Sequence, residues 1–129
     1  MPVDRDKSLH QMADDQYIRY STTSFATGGT RSGGVTLDGR APIGLIMPSS
    51  WINTQSTLLR IQVSTGGTTY FPMWAQNTAY TVGVRKSQYV QVDPNDFHGV
   101  EWIRLHSTMT RGTAATQHHA DVTIISRLL

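Results

Sequence analysis

The chain contains no cysteine. That excludes a disulfide framework, a thiolate metal site and a cysteine nucleophile. Acid is also scarce, with nine Asp and Glu in 129 residues, and Glu101 is the single glutamate. A glycosidase needs two carboxylates facing each other across a cleft, and few are left to form such a pair. Asp93 and Asp96 flank a turn, where capping accounts for Asp93. No run of about 18 apolar residues exists, so no segment reads as a membrane-spanning helix. The N-terminal stretch carries Asp4, Arg5, Asp6 and Lys7 and lacks an apolar centre, so it does not read as a signal peptide.

Charged residues make up 16% of the chain and hydrophobic ones 38%. Thr, Ser, Gly, Asn and Gln fill the gap, whereas a disordered chain fills it with charge. Such a composition suits short strands joined by tight turns, and the length suits one domain. Net charge is +2, spread along the chain, and Arg outnumbers Lys by nine to two. That bias favours directional contacts with carboxylates or main chain. No basic cluster is interleaved with aromatics as on a nucleic-acid surface, so no nucleic-acid partner is expected.

The stretch 43–64 organises the rest. Residues 43–47 form an apolar strand that Pro48 ends, because proline has no N–H to give a ladder. Ser49, Ser50, Asn53 and Thr54 mark a polar bend, with Trp51 folding back over one end of a core. Then Leu59, Ile61 and Val63 alternate with Arg60, Gln62 and Ser64, the period of a half-buried strand. Further strands are expected near 22–27, 31–37, 69–74, 80–85, 88–92, 100–105 and 121–128. Pro72 assigns its strand to an edge or a bulge. Asp38-Gly39 is a hairpin pair, and Gly66-Gly67 forms another turn. Asp93, Pro94 and Gly99 frame a helical turn that Phe97 anchors. Eight or nine short strands with turns between them predict an all-β sandwich or barrel.

Residues 1–20 differ. Leu9, Met12, Ala13, Gln16, Tyr17 and Tyr20 share a face at helical spacing, so a short amphipathic helix over 9–19 is expected, or else a frayed tail. In the first case the segment is an arm that orders against a partner. No site chemistry stands out elsewhere. His106, His118, His119 and Asp121 lie close in sequence, but adjacent strand residues point to opposite faces, so no metal site is expected. No serine sits in a nucleophile elbow, and no glycine doublet has phosphate-loop spacing. An enzyme is not expected, nor any cofactor. Of the aromatics, most sit beside aliphatics and read as core. Trp74, followed by a loop, is the candidate glycan platform.

The order of motifs resembles a family of small structural proteins of tailed bacteriophages. The matching pieces are Ser32-Gly33-Gly34-Val35-Thr36-Leu37-Asp38-Gly39, then Gly44-Leu45-Ile46-Met47-Pro48-Ser49-Ser50-Trp51. A Val-Asp-Pro-x-x-Phe-x-Gly turn follows at 92–99, and an arginine-ended strand closes at Arg127. The resemblance covers 23–127, and its motifs mark bends and core. It implies a jelly-roll-like antiparallel sandwich over 21–129 with an N-terminal arm or short helix over 1–20. It further implies a virion protein, a capsid decoration or cement protein that stabilises the shell against DNA pressure. Its partner would be the major capsid protein, with self-association as a dimer or trimer. On that reading the interface residues are Leu9, Met12, Tyr17, Tyr20, Trp51 and Arg111. The alternative is a neck, tail or head-fibre module that binds a host surface glycan through Trp74.

Overall fold

A computed structural model describes residues 17–26, 30–51, 57–107 and 119–128. The order is β1 (Ile18–Phe25), β2 (Val35–Thr36), β3 (Arg40–Ile46), β4 (Thr57–Ser64), β5 (Phe71–Pro72), β6 (Trp74–Ala75), β7 (Thr78–Ala79), β8 (Thr81–Val84), β9 (Tyr89–Gln91), a 3₁₀ turn (Pro94–Phe97), β10 (Trp102–Ser107) and β11 (Ala120–Leu128).

The pairing is nested. β1 pairs with β11, β2 with β10, β3 with β9 and β4 with β8, all antiparallel. Two further pairs, β11 with β3 and β10 with β4, join these into sheets. The first sheet runs β1-β11-β3-β9; the second runs β2-β10-β4, with β8 and β5 sharing the outer edge of β4. A long hairpin rolled onto itself in this way is a jelly roll. The expected sandwich is therefore the observed fold. Eleven strands are described rather than eight or nine. Eight form the roll, and β5, β6 and β7 are two-residue pieces within the connection from β4 to β8. The expected strand over 69–74 breaks at Met73, whose N–H donates to the Ile61 carbonyl while its own carbonyl accepts from Tyr80.

The expected helix over 9–19 stops short of its expected end: Tyr17 is helical, but the strand begins at Ile18. Ile18 and Arg19 are strand residues opposite Arg127 and Ser126. β1 therefore begins inside the stretch expected to be the arm. A full strand partner in β11 and the β-branched pair Thr22-Thr23 favour extension over a helix too short to stand alone. Leu9, Met12 and Arg111 lie outside the described residues.

Alternation builds the core. Leu59 and Ile61 of β4, Ile103 and Leu105 of β10, Val122 and Ile124 of β11, and Leu45 of β3 all point between the sheets. Trp51 closes one end at 1% exposure, its indole edge-on to Phe25 with ring centroids 5.3 Å apart. Phe97 is buried and meets Tyr80 edge-on at 5.5 Å. Asp93 caps that turn as expected, accepting from the Asn95 N–H at 3.0 Å.

Two turn glycines differ in a testable way. Asp38 and Gly39 both have positive φ, 49° and 75°, as a primed turn requires, but the turn carries the chain from β2 in the second sheet to β3 in the first and so does not make the expected hairpin. An added Cβ at Gly39 meets nothing within 4 Å. Gly67 also has positive φ, but its Cβ would lie 2.9 Å from the Trp102 ring. Gly39→Ala should cost about 1 kcal/mol from backbone strain alone. Gly67→Ala should cost roughly twice that, because Trp102 must move as well. Urea unfolding of the two variants checks the ordering.

Candidate functional site

Because strand residues alternate, each sheet turns one set of side chains outward. On the first sheet the register places Tyr20, Ile125, Gly44 and Gln91 in one row. The next row holds Thr22, Thr123, Ile46 and Tyr89. Tyr20 is 69% exposed, Tyr89 52% and Ile46 40%. The Tyr89 ring leans across Gly44, where an added Cβ would lie 2.6 Å from its hydroxyl oxygen. Glycine here leaves room for that ring to lie flat on the backbone. Tyr17, also exposed, accepts from Arg127 Nη1 at 3.0 Å through its hydroxyl. The outer face of the first sheet thus carries large apolar side chains from β1, β3 and β9.

The candidate interface residues separate accordingly. Tyr17 and Tyr20 lie on or beside this face. Trp51 does not: it is buried, so it has no surface to give a partner, and its role as a core lid is the part that stands. Sequence reasoning missed Tyr89 and Ile46, which were grouped with the core aromatics and the apolar strand. The signal was parity. Val90 and Val92 point inward, so Tyr89 must point outward; Leu45 points inward, so Ile46 does not. Phe71 is 60% exposed, and Trp74, the candidate glycan platform, is 63% exposed.

Trp74 stands on the β6–β7 hairpin, whose turn residues Gln76 and Asn77 have positive φ of 53° and 65°. The same hairpin borders a cavity of about 310 Å³ lined by Ala75, Gln76, Thr78, Tyr80 and Asp96 among others, with Trp74 outside its lining. Its polar centre is Tyr80, whose hydroxyl donates to Asp96 Oδ2 at 2.8 Å. Burial, then the Asp96 carboxylate, push the Tyr80 hydroxyl well above the usual phenol range. It therefore stays a neutral donor at any physiological pH.

The outer face of the second sheet is cationic. Arg60 sits opposite His106, and Arg31 bridges His106 from the other side. Arg104, two residues before His106, donates from Nε to Gln62 Oε1 at 2.6 Å and lies 4.2 Å over the Tyr70 ring. Burial, then Arg31, Arg60 and Arg104, hold the His106 pKa below its ordinary value.

Among the described residues no three metal-ligating side chains come together. His119 instead meets Asp121 at 2.9 Å on an exposed edge. The Ser24 hydroxyl, then His119, hold the Asp121 carboxyl below its usual range. Asp38 is held low likewise by Arg19, 2.9 Å away. Both are exposed pairs of the kind that adds little to stability. No helix among the described residues is long and apolar enough to cross a membrane.

No family model and no curated protein matches the chain. Among solved structures it is similar to the Yersinia pseudotuberculosis-derived mitogen, at TM-score 0.37 and 10% identity over 87% of this chain and 86% of that one. At that score the likeness adds nothing to the strand topology.

Proposed function

We propose that this chain is a structural protein of a tailed-bacteriophage particle, a decoration or cement protein that docks on the outside of the shell. The observation that carries the reading is the apolar outer face of the first sheet, with Tyr20, Tyr89 and Ile46 exposed on a jelly-roll frame. The family resemblance of 23–127 points the same way. The mechanism is additive contact. Covering the exposed part of each of these side chains is worth on the order of 1 kcal/mol. One copy binds modestly, and many copies bridging neighbouring subunits resist internal pressure together. Shells stripped of this protein should take it up in co-sedimentation until every site is filled. Shells that take up none would overturn the reading. Removing residues 1–16 tests the arm without cutting into β1. Shell binding should fall while the far-ultraviolet spectrum of the sandwich is kept, and unchanged binding would remove the arm from the account.

A second reading has its own observation. Trp74 stands exposed on the β6–β7 hairpin, and other residues of that hairpin line a cavity that offers Tyr80, Asp96 and Gln76. An apolar platform next to a few polar groups suits a glycan. On this reading the chain is a neck, tail or head-fibre module. A host surface glycan at about 100 times its dissociation constant would then stabilise the fold by about 2.7 kcal/mol. Trp74→Ala would abolish that rise in melting temperature. No rise with any host glycan removes this reading and leaves the shell contact.

A further inference from the structure

We infer that the outer face of the second sheet is a docking surface for an acidic protein segment, whose carboxylates pair with Arg31, Arg60 and Arg104. It lies on the opposite side of the sandwich from the Tyr20–Tyr89 face. Its test needs no particle and does not depend on the shell reading.

Three observations carry it. The first is placement. Arg31, His106 and Arg60 form one row across adjacent chain segments, so successive side chains stand about 4.8 Å apart. Arg104 is two residues from His106 on the same face of β10, roughly 7 Å along the strand. The second is the lack of a counter-charge among the described residues. Among the described residues none of these three arginines has a carboxylate at ion-pair distance. The described acids are engaged or distant. Asp38 meets Arg19, Asp93 caps its turn, Asp96 accepts from Tyr80 and Asp121 accepts from Ser24. Glu101 precedes β10, about 17 Å along the strand from His106. The third is preorganisation. The Arg104 guanidinium is already fixed by Gln62 and Tyr70, so little side-chain freedom is lost when an anion arrives.

The chemistry of the partner follows. Planar guanidinium forks match carboxylates in bidentate pairs. Arg and aromatic residues are enriched at protein interfaces, and here Trp102 and the exposed Leu58 flank the row on the same face. A single-stranded nucleic acid would need free aromatic platforms, whereas the Tyr70 ring is covered by Arg104. His106 adds a pH response. The groups facing it are Arg31 from the β1–β2 connection, Arg60 from β4 and Arg104 on its own strand, with uncharged Thr81 of β8 beyond Arg60. These cations disfavour a charged imidazole in the free protein. Bound carboxylates favour it, so binding takes up a proton and tightens as pH falls below neutrality.

The test uses the full chain and three probes at low ionic strength: poly-L-glutamate, heparin and oligothymidylate. Titration is followed by calorimetry and by the His106 ring signals. Poly-L-glutamate should bind, and more tightly at pH 5.5 than at pH 7.5. The Arg31→Gln/Arg60→Gln variant should lose roughly tenfold in affinity, while Lys86→Gln/Arg127→Gln, which removes equal charge elsewhere, should lose far less. Both arginines of the test variant are exposed, and an unchanged melting temperature confirms the fold. Absence of poly-L-glutamate binding overturns the proposal, as does equal loss in the two variants. Binding of heparin or oligothymidylate without poly-L-glutamate overturns the carboxylate assignment.

Discussion

Replacing Trp51 by alanine is expected to lower stability by about 3–5 kcal/mol, the range for deleting a buried aromatic. In a domain of this size that is on the order of 15 °C in melting temperature. The loss has two parts. The indole is 1% exposed, so its whole apolar area returns to a cavity or to water. Its edge-on contact with Phe25 is also lost, and Phe25 is itself fully buried on β1. The indole Nε1 has no hydrogen-bond partner among the described residues. A buried donor in that state is a cost rather than a gain. Trp51→Phe should therefore lose less than half as much as Trp51→Ala, because it keeps an aromatic edge for Phe25 and removes the orphan N–H. Chemical unfolding of both variants measures this directly. Equal losses would mean that indole size, not aromatic contact, sets the end of the core.

The second large effect concerns binding rather than stability. The Tyr20→Lys/Tyr89→Lys variant should lose shell association by a hundredfold or more, the loss expected when an interface centre carries two desolvated charges. Both side chains point away from the core, so the melting temperature should move little. Loss of Tyr89 uncovers the backbone at Gly44, and that is a surface change. A variant that binds shells as well as the parent would move the contact to another face. One that fails to fold would show that these tyrosines support the sheet. The less drastic pair Tyr20→Ser/Tyr89→Ser separates those cases, because it removes apolar area without adding charge.

The frame was legible because alternation and punctuation agreed. Leu59 and Ile61 against Arg60, Ile103 and Leu105 against Arg104, and Val122 and Ile124 against Thr123 give the inward faces directly. Pro48 ends β3, Asp38-Gly39 turns the chain, and Asp93, Pro94 and Phe97 build the 3₁₀ turn as their chemistry dictates. What escaped were features set by partners far away in sequence. Ile18 and Arg19 look helical in isolation, but β11 lies a hundred residues on and claims them as strand. Tyr89 and Ile46 read as core from their type, yet each follows the parity of a valine or leucine neighbour that points inward. Trp51 read as both lid and contact surface, and complete burial decides for the lid. The cationic row could not be seen at all. Arg31, Arg60 and Arg104 are scattered along the chain, and only the nesting of β10 between β4 and the 31–36 segment brings them together.

The most direct measurement is the copy number of this polypeptide in purified particles, by quantitative mass spectrometry against the major capsid protein. A shell-covering protein should be present in numbers comparable to the shell subunits. A few copies per particle would move it to the neck, tail or fibre and favour the Trp74 site. Complete absence from particles would contradict the account of a virion protein.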